Sequence, residues 1–273
     1  MSQALKEDIR ERVELENYDP AVREETASDL PTTSLRIQPA EHPEEKLAEW
    51  KYQRYVRDYL RCIRSVDDSV GDILKALEDE GILDETVIVY TSDQGFYMGE
   101  HGWFDKRFMY EESMRMPLVM ALPDRFERKG DITELVQNID FAPTFLDLAG
   151  AEIPEDIHGV SLMPLLKGES PEDWRKSLYY HFYEYPAEHQ VMRHFGVRTD
   201  RYKLIHFYND KDFWELYDLQ NDPSEMDNLY GKEGYEEIAE TLKAELAMLQ
   251  EKYDDPVRFG YDKARNAGGL VAE

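Results

Sequence analysis

Cysteine is almost missing from these 273 residues: one thiol, Cys62, leaves no room for an internal disulfide or a multi-cysteine zinc cage. It falls among Leu60, Ile63 and Val66 in a helical pattern and reads as a small buried hydrophobe. Long apolar runs are missing too, and no stretch approaches the roughly 20 residues that span a bilayer. The opening residues, MSQALKEDIRERVELENY, lack the apolar run of a signal peptide, so the chain as written carries no export address. Bases are scarce: 32 Lys and Arg face 59 Asp and Glu, a net charge of −27. Nucleic acid and anionic membrane would both be repelled, and neither is expected as a partner. The acids are dispersed through helices and loops, which makes an acidic surface and not an acidic tail.

Aromatic residues are abundant and spread along the chain, as in globular proteins. Residues 1–42 read as a charged helix and a proline-bearing linker through Pro31 and Pro39. From Pro43 to Glu80, Tyr52, Tyr55, Tyr59, Ile63, Val66, Val70, Ile73 and Leu77 recur every three or four residues, one stripe of a long helix, with Gly81 where a terminator belongs. Thr86–Thr91 is β-branched and reads as a buried strand, and Pro117–Leu122 as a second. A helix is expected near Asp140–Leu148, capped by Asp140 and ended by Gly150. Beyond Gly168 the texture changes to alternating aromatic and polar residues in four runs, 178–185, 195–199, 202–207 and 213–219, then a helix over 235–253. The expected fold is α/β: a sheet-and-helix domain over 43–168 with a parallel sheet, followed by a small antiparallel α+β subdomain over 169–273.

In such sheets ligands collect beyond the carboxyl ends of the strands, where Asp93 and Gln94 stand. A carboxylate beside an amide oxygen suits a hard cation, Ca²⁺ or Mg²⁺, and supplies two of the six or so ligands such a cation takes. Ser-Asp-Gln-Gly is also an ordinary turn. The loop from Gly99 to Arg107 then carries Lys106, whose ammonium can balance charge on a tetrahedral oxyanion or give a proton to a departing oxygen. His101 could do similar work. The plainer alternative is a solvated loop with a stray basic pair.

The stretch YTSDQGFYMGEHGWFDKRFMYEESMRMPLVM resembles the carboxyl-half signature of the formylglycine-dependent sulfatases of the alkaline-phosphatase-like superfamily. So do WKYQRYVRDYLRCIRSVDDSVGDIL, IDFAPTFLDLAG, HGVSLMPLLKG, FGVRTDRYKLIHF and WELYDLQNDPSEMDNLY, extending the likeness from about residue 45 to 253. The resemblance implies that Asp93 and Gln94 ligate Ca²⁺ and that Lys106 touches sulfate, with Arg107 beside it. It implies a sulfated-sugar substrate read by the carboxyl-terminal subdomain, where His181, His189, Arg193 and His194 are candidates.

One feature of the family is not found. Its nucleophile stands in a Cys/Ser-x-Pro-Ser-Arg motif and is oxidised to formylglycine, and no such pentapeptide occurs here; Cys62 is followed by Ile-Arg-Ser-Val. The family's first Ca²⁺-binding Asp pair and its second catalytic His also lie upstream of the matched region. The expectation is therefore the carboxyl-terminal portion of a sulfatase, inactive alone, that pairs with an amino-terminal half or self-associates. The alternatives are a non-catalytic fragment that binds sulfated glycan or a partner, and a phosphate-ester hydrolase of the same superfamily.

Overall fold

A computed structural model of the chain describes residues 44–123, 130–169, 171–185, 191–208 and 212–255. The expected helix and linker over 1–42 lie outside them. The chain divides into two compact units, Met1–Glu80 and Gly81–Glu273.

In the first unit the described element is helix α1, Glu44–Asp79. Ion pairs one turn apart, Arg54–Asp58 at 3.0 Å, Arg64–Asp68 at 2.9 Å and Lys75–Asp79 at 2.8 Å, support it along its length. Gly81, at φ +71°, then adopts the left-handed conformation that ends helices. The apolar face is present but only partly covered: Tyr55, Tyr59, Val70 and Leu77 are partly buried, while Leu60 is 55% and Ile73 59% exposed. Cys62 is exposed with them, against the expectation of burial. Helical periodicity fixes which side chains share a face, but not whether anything packs on that face.

The second unit begins with strand β1, Ile88–Thr91. It starts two residues later than expected because Thr86 closes a 3-10 turn, its N–H donating to Leu83 and its hydroxyl to Ile82. The chain then makes a long excursion, through the short helix α2 (Glu111–Met114), and returns as strand β2 (Leu118–Ala121). β2 runs antiparallel to β1, Ile88 opposite Ala121 and Thr91 opposite Leu118. The expected parallel pairing is therefore corrected for the described strands: the excursion brings the chain back in the reverse direction. Helices α3 (Phe141–Leu148) and α4 (Met163–Leu166) follow, and Leu162, Met163 and Leu166 pack with Leu118, Met120 and Leu148.

The four aromatic runs become strands β3 (Ser177–Phe182), β4 (His194–Thr199), β5 (Tyr202–Phe207) and β6 (Phe213–Asp218), an antiparallel meander in chain order. Period-two alternation gives this sheet two buried faces. On one, Phe195, Val197, Leu204 and Leu216 meet Leu242, Leu246 and Leu249 of helix α5 (Glu236–Lys252). On the other, Ile205, Phe207 and Tyr217 meet Tyr97, Phe108 and Met109 of the β1–β2 excursion. The approach is close enough that a side-chain carbon on Gly196 would strike the Met109 sulfur and the Leu204 carbonyl. The sheet thus forms the floor on which the Lys106 loop is laid.

Candidate active site

Ser92–Gly95 leaves the end of β1 as a turn, with the Ser92 hydroxyl donating to the Gln94 carbonyl at 2.8 Å. Gly95 N–H donates to the Ser113 carbonyl at 2.8 Å, and a Cβ on Gly95 would collide with the Glu112 carbonyl. Glycine is required there because the turn is pressed against α2. The Ser113 hydroxyl donates to the Lys106 carbonyl at 2.7 Å, the Tyr180 hydroxyl to the Arg107 carbonyl at 2.8 Å, and the Tyr97 hydroxyl to the Phe108 carbonyl at 2.9 Å. Lys106 is therefore held by its backbone, while its exposed side chain remains free to reach outward.

Asp93, Gln94, Lys106 and Arg107 line one cavity of about 660 Å³. That is within the range of small-molecule sites. Arg107 is already engaged, in an ion pair with Asp105 and at 4.0 Å from Glu184. Among the described residues Lys106 has no ion pair, so its ammonium is the uncompensated cation of the cavity. Asp93 and Gln94 present a carboxylate and an amide, hard oxygen donors that fit Ca²⁺ or Mg²⁺ in kind. Among the described residues no group of three His, Cys, Asp or Glu gathers that could hold a metal.

The histidines fall differently. His101, at φ +54°, stacks on Tyr110 with ring centroids 4.5 Å apart, and its Nε2 lies 3.5 Å from a Glu112 carboxylate oxygen. It is not in the cavity lining. His194 is fully buried among Phe108, Phe182 and Phe207, its Nδ1–H donating to the Met192 carbonyl at 2.8 Å. Burial pushes its imidazole down to about 4. A neutral ring inside an aromatic cage does not face a substrate, and the sequence expectation is corrected there: alternation in β4 points His194 inward. Arg193 donates to the Tyr185 carbonyl at 3.1 Å and is also outside the lining. His189 lies outside the described residues.

His181 does border the cavity, but both its nitrogens are occupied. Nδ1 is 2.5 Å from Asp255 and Nε2 2.6 Å from the Tyr208 hydroxyl, with the imidazole 2% and the carboxylate 1% exposed. Asp255 also accepts from the Tyr179 hydroxyl at 2.6 Å.

Asp140 was missed as a site residue. Instead of capping α3, its fully buried carboxylate accepts from Gln137 N–H at 2.7 Å, from Val160 N–H at 2.9 Å and from the Arg175 guanidinium at 2.5 and 2.6 Å. It therefore locks the segment bearing Gln137 and Asn138 to the one bearing His158, and all three line the cavity. A carboxylate one residue ahead of a helix looks the same in sequence whether it caps or bridges.

Residues 15–151 match the sulfatase family, and residues 99–252 match the carboxyl-terminal family described as N-sulphoglucosamine sulphohydrolase. The chain belongs to the sulfatase family. The match begins inside the segment read as helix and linker. The N-acetylglucosamine-6-O-sulfatase of Bacteroides thetaiotaomicron is 55% identical over 211 residues, covering 77% of this chain and 38% of that protein. A solved structure described as in complex with its substrate D-glucosamine-2-N,6-O-disulfate is 53% identical with a TM-score of 0.75, covering 79% of this chain and 44% of that one. The phosphonate monoester hydrolase of Agrobacterium radiobacter is 27% identical with a TM-score of 0.62, over 70% of this chain and 40% of the other. The chain thus spans less than half the length of these relatives.

Proposed function

We propose that this sulfatase-family chain forms the sulfate-holding side of a sulfuric-ester hydrolase that acts on a sulfated amino sugar. The observation that carries the reading is the Lys106 side chain, with no ion pair among the described residues, in one cavity with Asp93 and Gln94. With its backbone held and its side chain exposed, Lys106 can bring an ammonium to a sulfuryl oxygen. A cation at that oxygen is stabilising as charge builds there, which is where electrostatic catalysis gains most. A hard cation bound by Asp93 and Gln94, Ca²⁺ by preference, would polarise the same oxygens. The sugar class is drawn from the relatives named for N-acetylglucosamine 6-sulfate and glucosamine disulfate.

Lys106→Ala is expected to weaken binding of N-acetylglucosamine 6-sulfate about tenfold or more, since a hydrogen bond to a charged group contributes roughly 1.5–3 kcal/mol. Calorimetry of the purified chain in Ca²⁺ measures this. Equal affinity in parent and variant would end the proposal. A tetrahedral anion is held in the same way whether sulfur or phosphorus is at its centre. The likeness to the phosphonate hydrolase therefore makes an aryl phosphonate the competitor to run beside the sulfate ester.

A further inference from the structure

The cavity has a second set of residues that the oxyanion does not need. Tyr183 is half exposed and lies against His181, ring centroids 3.8 Å apart. Tyr253, just past α5, meets His158 edge-on at 5.1 Å and stacks on Tyr179 at 6.0 Å. Three separate segments thus bring aromatic rings to one cavity that also contains the Gln137 and Asn138 amides. The rings that Tyr183 and Tyr253 lie against are held from within: Asp255 accepts from both Tyr179 and His181, and the Tyr208 hydroxyl meets the far side of the imidazole.

We propose that Tyr183, Tyr253 and His158 form a platform for the pyranose ring, and that Asp255 is the residue that positions it. One face of a pyranose carries several C–H groups and packs on an aromatic ring, while its rim of hydroxyls calls for a few convergent polar groups. Both kinds of surface are present. His181 has no nitrogen left for a sugar, so its contribution is to support Tyr183. An aromatic side chain also loses little rotamer freedom on binding, and one already pinned loses less. The proposal rests on the sulfated-sugar reading above, but it concerns the neutral part of the ligand.

Saturation-transfer NMR on the full chain, with neutral N-acetylglucosamine and its 6-sulfate as probes, separates the two when calorimetry with inorganic sulfate, which has no proton to observe, is run beside it. The ring protons of the neutral sugar should receive saturation, Tyr183→Ala should abolish it, and Tyr183→Phe should retain it. Asp255→Ala should weaken the neutral sugar several-fold while Asp255→Asn, whose carbonyl still accepts from both partners, restores it. Inorganic sulfate should bind all four variants as it binds the parent. Tyr183 is a surface residue, so its variants report even where Asp255→Ala fails to fold. No saturation of the neutral sugar in the parent, or sulfate and sugar lost together in Tyr183→Ala, overturns the platform. Failure of the oxyanion reading has another signature: the 6-sulfate binds no better than the neutral sugar, while the dependence on Tyr183 persists.

Discussion

A histidine shows how poorly residue type alone reports a role. His194 and His181 are thirteen residues apart on adjacent strands, yet one is sealed among phenylalanines and the other is wired to Asp255. The buried His194 gives a pH prediction. Its ordinary value is 6.5 and burial lowers it to about 4, so the unfolded chain takes up this proton first as the pH falls. Stability is therefore lost as the pH drops from about 6.5 towards 4, and is unaffected by this group above that window. The urea midpoint should fall between pH 7 and pH 5, and fall less in His194→Phe. An identical fall in both would assign the loss to other groups. Asp93, Gln94 and Lys106 were legible in sequence because a motif fixes their order and spacing, and the fold brings them to one cavity. Asp255, Asp140 and Tyr253 were not, because their partners come from segments far away in the chain and no local pattern announces the meeting.

At the scale of elements, the four strands and α5 could be read from alternation and helical period, with ends shifted by up to three residues. What could not be read was the contact between the meander and the Lys106 loop. One of its ties is ionic. Lys203, fully buried on β5, reaches Glu225 at 2.7 Å and Glu111 at 2.9 Å, while Glu111 N–H donates to Glu225 at 2.7 Å. Sequence alternation places Lys203 on an inward face, which by itself looks like an error; the facing carboxylates arrive from two other segments. Removing the cation leaves buried charge uncompensated. Lys203→Met should cost about 3–5 kcal/mol. Adding Glu225→Gln should recover part of that, measured by urea unfolding. A single variant as stable as the parent would show that the pair contributes nothing to holding the loop on the sheet.

For the whole molecule, charge and exposed apolar surface pull in opposite directions. A net charge of −27 keeps copies apart at low salt, and its reach is about 10 Å at 0.1 M. The open stripe of α1, with Leu60, Ile63, Val66 and Ile73, favours association once that repulsion is screened. Light scattering should therefore show self-association growing with salt, and Ile63→Lys with Val66→Lys should suppress it. Salt-independent monomers would remove α1 as an interface. Under the proposed function the same field acts on sulfated ligands. A sulfated polymer laid across the surface meets many acids, whereas a monosaccharide sulfate meets chiefly the cavity. Affinity for polymer should rise with ionic strength relative to the monosaccharide, and a polymer preferred at low salt would refute the link.

The meander has a kinetic consequence. Each of its strands pairs with its immediate neighbour in the chain, and β4 and β5 are joined by only Asp200 and Arg201. Short loops close quickly because little chain entropy opposes them. The cavity depends on slower events: Asp255 must reach back to His181, Arg175 to Asp140, and Glu225 to Lys203 and Glu111. The strands of the meander are thus expected to form before the cavity does. The proposed binding surface is then the part expected to assemble last, on a template that does not wait for it.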